Sequence, residues 1–215
     1  MRSRTDLSQL RKDYGQQELD PESAAADPLE QLHRWMEEAI AAGVNEPSAM
    51  HLATVDATGA PSGRIVLCKG IDARGLLFYT NYASRKGQQL SEQPRAAATF
   101  FWPELERQVR IEGEVSRLPA AESDAYFASR PYASRIGAWA SRQSAPMLSR
   151  TQMISKAAQI GLRYPLQVPR PDFWGGYVLN GWRFEFWQGR PSRMHDRLLY
   201  LPEAASLWRR SRLFP

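Results

Sequence analysis

A change of hydrophobic period limits the folds that this chain can adopt. After a helical repeat that ends near Gly43, short apolar runs of period two alternate with turn sequences such as Asp56-Ala57-Thr58-Gly59 and Asp72-Ala73-Arg74-Gly75. This pattern is typical of antiparallel hairpins. No Gly-x-Gly-x-x-Gly or P-loop pattern occurs, so a dinucleotide-binding parallel sheet is not expected. We predict a mainly β (α+β) chain, a closed or partly closed antiparallel barrel with flanking helices.

The predicted elements follow from these periods and from turn and cap residues. A helix is expected from Asp27 to Gly43, and Asn180-Gly181 is a strong hairpin turn signal. Residues 1–27 are polar and are predicted to be a mobile segment before one domain, 28–215. The other predicted helices are 84–90, 119–129 and 149–164, and the predicted strands are 50–55, 63–69, 76–80, 96–102, 108–117, 174–179, 182–187, 197–200 and 207–210.

Composition excludes several classes of protein. The single cysteine, Cys68, excludes an internal disulfide and a cysteine-based metal site, and no metal is expected. No apolar run is long enough to span a membrane and no secretory signal is visible, so a cytoplasmic protein is predicted. The net charge is +5, but the basic residues are dispersed, which does not favour nucleic-acid binding.

Two groups of residues are suited to binding phosphate. Ser84-Arg85-Lys86 stands at a predicted helix N-terminus, where backbone N–H groups and the helix dipole favour anions. Tyr126, Arg130 and Ser134, spaced by four residues, offer two hydroxyls and a guanidinium. Either group alone could also be an ordinary polar helix end in solvent. Together they suggest a phosphorylated cofactor beside a phosphorylated substrate.

The alternation Arg193-x-His195-x-Arg197 forms a third cluster. If this stretch is extended, the two guanidiniums and the imidazole emerge on one face, where they would suit an anionic ligand. The alternative is a solvated edge strand whose charges prevent pairing with another sheet.

The motifs, taken in order, closely resemble the pyridoxine/pyridoxamine 5′-phosphate oxidase family over roughly residues 11–215. The segments that carry the resemblance are 64–69, 79–80 with 84–86, 102–104 with 107–108, 126–134, 137–139 with 143–144, 174–176 and 187–197. The resemblance implies an FMN-binding split β-barrel and a homodimer with FMN at the subunit interface. It also implies oxidation of pyridoxine and pyridoxamine 5′-phosphates to pyridoxal 5′-phosphate by O2, giving H2O2, with NH3 from the amine.

The resemblance also implies a role for individual residues. Arg193 and His195 are implied to lie over the pyridine ring and to take part in catalysis, with Met194 between them. The other implied substrate contacts are Arg11, Lys12, Asp13 and Tyr14, which would close over the substrate, and Lys69, Tyr126, Arg130 and Ser134, which would hold its phosphate. The implied FMN contacts are Arg64, Ile65, Val66, Leu67, Cys68, Lys69, Tyr79, Thr80, Ser84, Arg85, Lys86, Gln108, Gln143, Ser144, Trp187 and Arg197.

Two other functions remain open for such a sequence. A related flavin oxidase of phenazine biosynthesis would share the fold and the FMN contacts, but it would lack the set of phosphate-binding residues Lys69, Tyr126, Arg130 and Ser134. A non-catalytic binder of flavin or vitamer would need neither Arg193 nor His195, both of which are present.

Overall fold

The computed structural model describes residues 14–15, 17–204 and 207–215. In chain order its elements are α1 (Pro28–Ala41), β1 (Ala49–Val55), β2 (Pro61–Leu67), β3 (Gly70–Asp72), β4 (Gly75–Asn81), α2 (Arg85–Glu92), β5 (Arg95–Trp102), β6 (Arg107–Arg117), α3 (Ala120–Ser129), α4 (Tyr132–Ala140), α5 (Arg150–Arg163), β7 (Trp174–Gln188), β8 (Asp196–Ala204) and β9 (Leu207–Arg212). A 3-10 turn, Pro191–Arg193, precedes β8. Mainly antiparallel strands with flanking helices are therefore confirmed.

The chain forms two compact units. Unit 1 consists of the described residues of Met1–Pro47, Phe101–Arg110 and Arg183–Pro215, and unit 2 consists of Ser48–Phe100 and Ile111–Trp182. In unit 2 the strand order is β2-β1-β5-β6-β7-β4-β3, and in unit 1 β8 pairs with β7 and β9 with β8. Strands β5, β6 and β7 each contribute residues to both units.

Helix α1 shows how local sequence produces an element of unit 1. The Asp27 carboxylate accepts hydrogen bonds from the N–H groups of Leu29 and Glu30, and Pro28 occupies the first turn, where its missing N–H costs nothing. The apolar face buries Leu32 and Trp35. The Trp35 ring meets Phe186 edge-on with centroids 5.2 Å apart.

The predicted turn at Asn180-Gly181 is wrong. Strand β7 continues through both residues from Trp174 to Gln188, and Gly181 does not take the positive φ that a two-residue hairpin needs. The two halves of β7 pair with other strands, the first with β4 and the second with β8. Gly113 lies so close that a Cβ there would stand 2.2 Å from the Asn180 carbonyl oxygen.

The extended conformation considered for residues 193–197 is also wrong. Ser192 and Arg193 have φ values of 56° and 63°, and β8 begins only at Asp196. The side chains of Arg193, His195 and Arg197 therefore do not alternate along one strand. Strand β3 and helix α4 were not predicted from the sequence, and α4 begins directly after Pro131.

Part of the N-terminal segment packs within unit 1. Leu19, Ala24 and Ala25 are buried, and the Tyr200 hydroxyl donates to the Ala25 carbonyl at 2.8 Å. Residues 1–13 and 16 lie outside the described residues, so the mobile segment 1–27 stays a prediction.

Candidate active site

The first turn of α2 presents a buried lysine. The Ser84 hydroxyl caps the helix by accepting from the Gly87 N–H, and it donates to the Asn81 carbonyl at 2.6 Å. The Lys86 ammonium donates to Thr80 Oγ1 at 2.9 Å and to Gln143 Oε1 at 3.1 Å. Burial, and then the charge of Arg64, lower the pKa of Lys86 to about 8. The lysine is thus held by neutral oxygens in a place where its charge is costly.

Arg64 lies on β2, half-buried, and its guanidinium is held by β1 and by its own strand. Its Nη1 donates to the Leu52 carbonyl at 3.0 Å and to Thr54 Oγ1 at 2.6 Å, and its Nη2 donates to Ser62 Oγ at 2.5 Å. Burial and the nearby Arg85 charge lower its pKa. The guanidinium is therefore fixed among neutral acceptors.

A second cluster joins α3, α4 and the start of β7. The Tyr126 ring stacks on Tyr79 with centroids 3.7 Å apart and lies parallel to Trp174 at 6.2 Å. The Arg130 guanidinium lies 4.7 Å from the centroid of the Trp174 ring, a cation–π contact. Its Nη1 is buried and has no hydrogen-bond partner among the described residues. Burial lowers the pKa of Arg130. Because Nη1 has no acceptor among the described residues, it can donate to an anion.

Both clusters line one cavity of about 870 Å³ within unit 2. Its walls include fourteen residues predicted as FMN or phosphate contacts: residues 64–67, Lys69, Tyr79, Thr80, Arg85, Lys86, Tyr126, Arg130, Ser134, Gln143 and Ser144. Across the described residues, no carboxylate forms an ion pair with any of the five cations in this wall. A cationic cavity without protein carboxylates is suited to an anionic ligand.

Two predicted contacts lie beside this cavity rather than in its wall. The Cys68 thiol is buried and donates to the Gly70 carbonyl at 3.2 Å, and burial raises its pKa. Ser84 acts as the α2 cap. Six further residues of the cavity wall were not predicted as contacts: Gly137 and Ala138, which lie in the motif 137–139, and Ser62, Asn81, Ser141 and Met153. Most of them lie in or beside the motifs that the sequence analysis used, and adjacency was the only available signal.

The predicted catalytic histidine belongs to a cluster in unit 1. The His195 ring lies 4.7 Å from Trp187 and 5.6 Å from Tyr14, which meets it edge-on. Its Nδ1 accepts the Arg190 N–H at 3.1 Å. Burial, and then the charge of Arg193, lower the pKa of His195. The imidazole is thus favoured as the neutral form with its proton on Nε2.

The other predicted site residues in unit 1 do not share the ring contacts of His195 described above. Arg197 donates through Nε and Nη2 to Glu185 Oε1 at 2.9 and 2.7 Å, and through Nη1 to the Phe214 carbonyl. Arg193 and Met194 are exposed, and Gln108 is half-buried on β6. Arg11, Lys12 and Asp13 lie outside the described residues.

Comparison with known proteins identifies the family. Residues 36–163 match the family model described as pyridoxamine 5′-phosphate oxidase. Residues 174–215 match the model described as the pyridoxine 5′-phosphate oxidase C-terminal dimerisation region. The chain belongs to the pyridoxine/pyridoxamine 5′-phosphate oxidase family. A family member of that name from Chromobacterium violaceum is 56% identical over 97% of this chain and 98% of its own length. Another, from Neisseria meningitidis serogroup B, is 52% identical over 98% of this chain and 100% of its own length.

Two solved structures share the architecture of this chain. PhzG from Burkholderia lata 383, solved with tetrahydrophenazine-1-carboxylic acid, is 33% identical, with a TM-score of 0.86 over 92% of this chain and 98% of its own. A pyridoxamine 5′-phosphate oxidase-related, FMN-binding protein from Nostoc punctiforme has a TM-score of 0.70 at 19% identity, covering 90% of this chain and 99% of its own. The predicted split β-barrel fold of the oxidase family is thereby confirmed.

Among the described residues, no helix is long and apolar enough to cross a membrane. No group of three or more His, Cys, Asp or Glu side chains in this part of the chain could hold a metal ion.

Proposed function

We propose that this protein is an FMN-dependent oxidase of phosphorylated B6 vitamers. Pyridoxine 5′-phosphate and O2 give pyridoxal 5′-phosphate and H2O2. Pyridoxamine 5′-phosphate, O2 and water give the same two products and NH3. The proposal includes a homodimer with FMN at the subunit interface, and the match of residues 174–215 to a dimerisation region supports the dimer.

The observation that carries this proposal is the pair of anion-binding groups in one cavity. Arg64, Arg85 and Lys86 form one group of cations, and Tyr126 with Arg130 forms the core of the other. A volume of about 870 Å³ is in the range of cofactor and small-molecule sites. Arg130 Nη1 has no hydrogen-bond partner in the described part of the chain, which supports a phosphate ligand because a buried guanidinium donor without an acceptor is costly. The donors present therefore fit FMN and a phosphorylated substrate.

The protein's own side chains would bind the cofactor and substrate phosphates, orient the substrate and donate a hydrogen bond to it. Bound FMN would supply the redox chemistry, as the hydride acceptor and as the source of electrons for O2. Lys86 and Arg64 would hold the cofactor phosphate, and Arg130, Tyr126 and Lys69 would hold the substrate phosphate. His195, neutral with its proton on Nε2, can donate a hydrogen bond to the substrate, and Arg193 adds a positive charge that favours an anionic pyridine substituent. Fixed orientation of the reacting carbon supplies much of the rate.

A second candidate is an oxidase of the PhzG type, which the TM-score of 0.86 to that enzyme favours. The ligand in that structure is a carboxylic acid without a phosphate. The phosphate-binding set of Lys69, Tyr126, Arg130 and Ser134 supports the vitamer oxidase instead, as does the identity of 52–56% to proteins of that name.

The deciding experiment is anaerobic mixing of the FMN-loaded protein with pyridoxine 5′-phosphate, followed by the visible absorbance of the flavin. We expect bleaching that reverses when air is admitted, with one pyridoxal 5′-phosphate formed per flavin reduced. Unphosphorylated pyridoxine is the matched control and should bleach the flavin far more slowly. A flavin that stays oxidised with the phosphorylated vitamer would refute the proposal and make a phenazine-type substrate the next to test.

A further inference from the structure

Gln89 has no role in the proposed reaction, yet it lies at the centre of the contacts that hold Arg64. It follows Lys86 by three residues on the buried face of α2, and only 3% of its surface is exposed. Its Oε1 accepts from the Thr54 hydroxyl at 2.7 Å, from the Ser62 hydroxyl at 3.0 Å and from Arg64 Nη2 at 3.3 Å. One amide oxygen thus accepts from Arg64 and from both hydroxyls to which Arg64 donates.

The direction of these hydrogen bonds gives Gln89 a specific effect. Because the Thr54 and Ser62 hydroxyls donate to Gln89 Oε1, their lone pairs are left to accept from Arg64, which donates to them at 2.6 and 2.5 Å. The opposite orientation of the amide would set its N–H groups against the guanidinium donors, which excludes it. The Nε2 of Gln89 is buried without a hydrogen-bond partner among the described residues, a cost that the Oε1 contacts offset.

We infer that Gln89 is a positioning residue for cofactor binding: it orients Thr54 and Ser62 so that Arg64 is held in the geometry that binds the FMN phosphate. This inference rests on the proposed function. Two Nη groups of Arg64 are occupied by fixed neutral acceptors, so the guanidinium cannot rotate freely and its remaining donor, Nε, keeps one direction. Preorganised donors bind a phosphate more tightly than mobile ones because less side-chain entropy is lost on binding.

The test is FMN affinity of the apo-protein, measured by quenching of flavin fluorescence. Gln89→Met keeps the length and burial of the side chain and removes the acceptor, and we expect it to raise the Kd for FMN about tenfold, the loss typical of one weakened charge-assisted hydrogen bond. Gln88→Met is the matched control, since Gln88 is the exposed neighbour on the same helix, and it should leave the Kd within about twofold.

A double-mutant cycle separates positioning from a general effect on folding. In an Arg64→Ala background, Gln89→Met should change the Kd by less than about twofold, because the group that it orients is gone. An undiminished effect in that background, or a Kd for Gln89→Met equal to that of the wild type, would overturn the inference. If Gln89→Met does not fold, Thr54→Val removes one of the two oriented hydroxyls, and its effect should likewise vanish without Arg64. A wild-type protein that binds no FMN would instead refute the proposed function.

Discussion

The burial of Lys86 predicts that FMN affinity falls as pH rises through a range where lysines normally stay charged. The pKa of this ammonium is lowered to about 8, first by burial and then by the charge of Arg64. A phosphate dianion binds the protonated lysine, so binding is coupled to proton uptake once the pH exceeds the pKa of the free site. The second pKa of a phosphate monoester is near 6, so the ligand itself does not titrate in this range.

The expected magnitude follows from the fraction of protonated lysine. Near pH 7 about nine sites in ten carry the proton, and near pH 9 about one in ten does, so the Kd for FMN should rise about tenfold over this interval. The free energy of unfolding of the apo-protein should instead increase with pH, while the affinity for FMN falls. A lysine whose pKa is lower in the folded state destabilises that state while it is protonated, so unfolding becomes less favourable as pH rises through about 8.

Fluorescence titration of apo-protein with FMN at several pH values measures the first effect, and chemical denaturation at the same pH values measures the second. Lys86→Arg is the control. Its guanidinium stays charged, so the Kd of this variant for FMN should be nearly constant over the same pH interval. Riboflavin, which has no phosphate, should show little of the pH dependence. A wild-type Kd that does not change between about pH 7 and pH 9, or an equal slope in Lys86→Arg, would refute the assignment of Lys86 to the FMN phosphate.

Three further substitutions test other parts of the site and fold. Arg193→Leu should reduce turnover strongly while FMN stays bound with unchanged Kd, and a variant with full turnover would remove Arg193 from catalysis. Arg130→Ala should raise the KM for pyridoxine 5′-phosphate at least about tenfold, because a charge-assisted contact is lost. If the variant kept the wild-type ratio of kcat/KM for the phosphorylated over the free vitamer, another group would hold the phosphate. Asp27→Ala should lower the free energy of unfolding by about 1 kcal/mol through loss of the α1 cap, measured by urea denaturation, with no change in FMN affinity; an unchanged midpoint would contradict the capping role.

Elements whose start is fixed by local chemistry could be predicted from the sequence. Asp27 and Pro28 mark the beginning of α1, and Ser84 marks that of α2, because in each case the side chain satisfies N–H groups within its own first turn. The alternating strands could also be predicted, because apolar residues at every second position indicate which face of a strand is buried.

Elements decided by distant partners could not be predicted. Asn180-Gly181 has the composition of a hairpin turn, but pairing of β7 with β4 and β8 keeps the strand extended. The conformation of Ser192 and Arg193, both at positive φ without being glycine, likewise follows from tertiary context. In the candidate site, cations and hydroxyls in known motifs were predictable, whereas Gln89 was not, because an interior amide has no recognisable spacing.

Two groups of cations can be distinguished among the described residues, those paired with a carboxylate and those that line the cavity without such a partner. In unit 1, Arg107 is paired with Glu38 at 2.5 Å and Arg190 with Glu18 at 2.6 Å. In the described part of unit 2, the cations that line the cavity have no such carboxylate. Gathering like charges in a partly desolvated cavity opposes folding unless an anion enters. The net charge of +5 therefore includes cavity cations that have no carboxylate partner among the described residues, as the proposed phosphate-binding site requires.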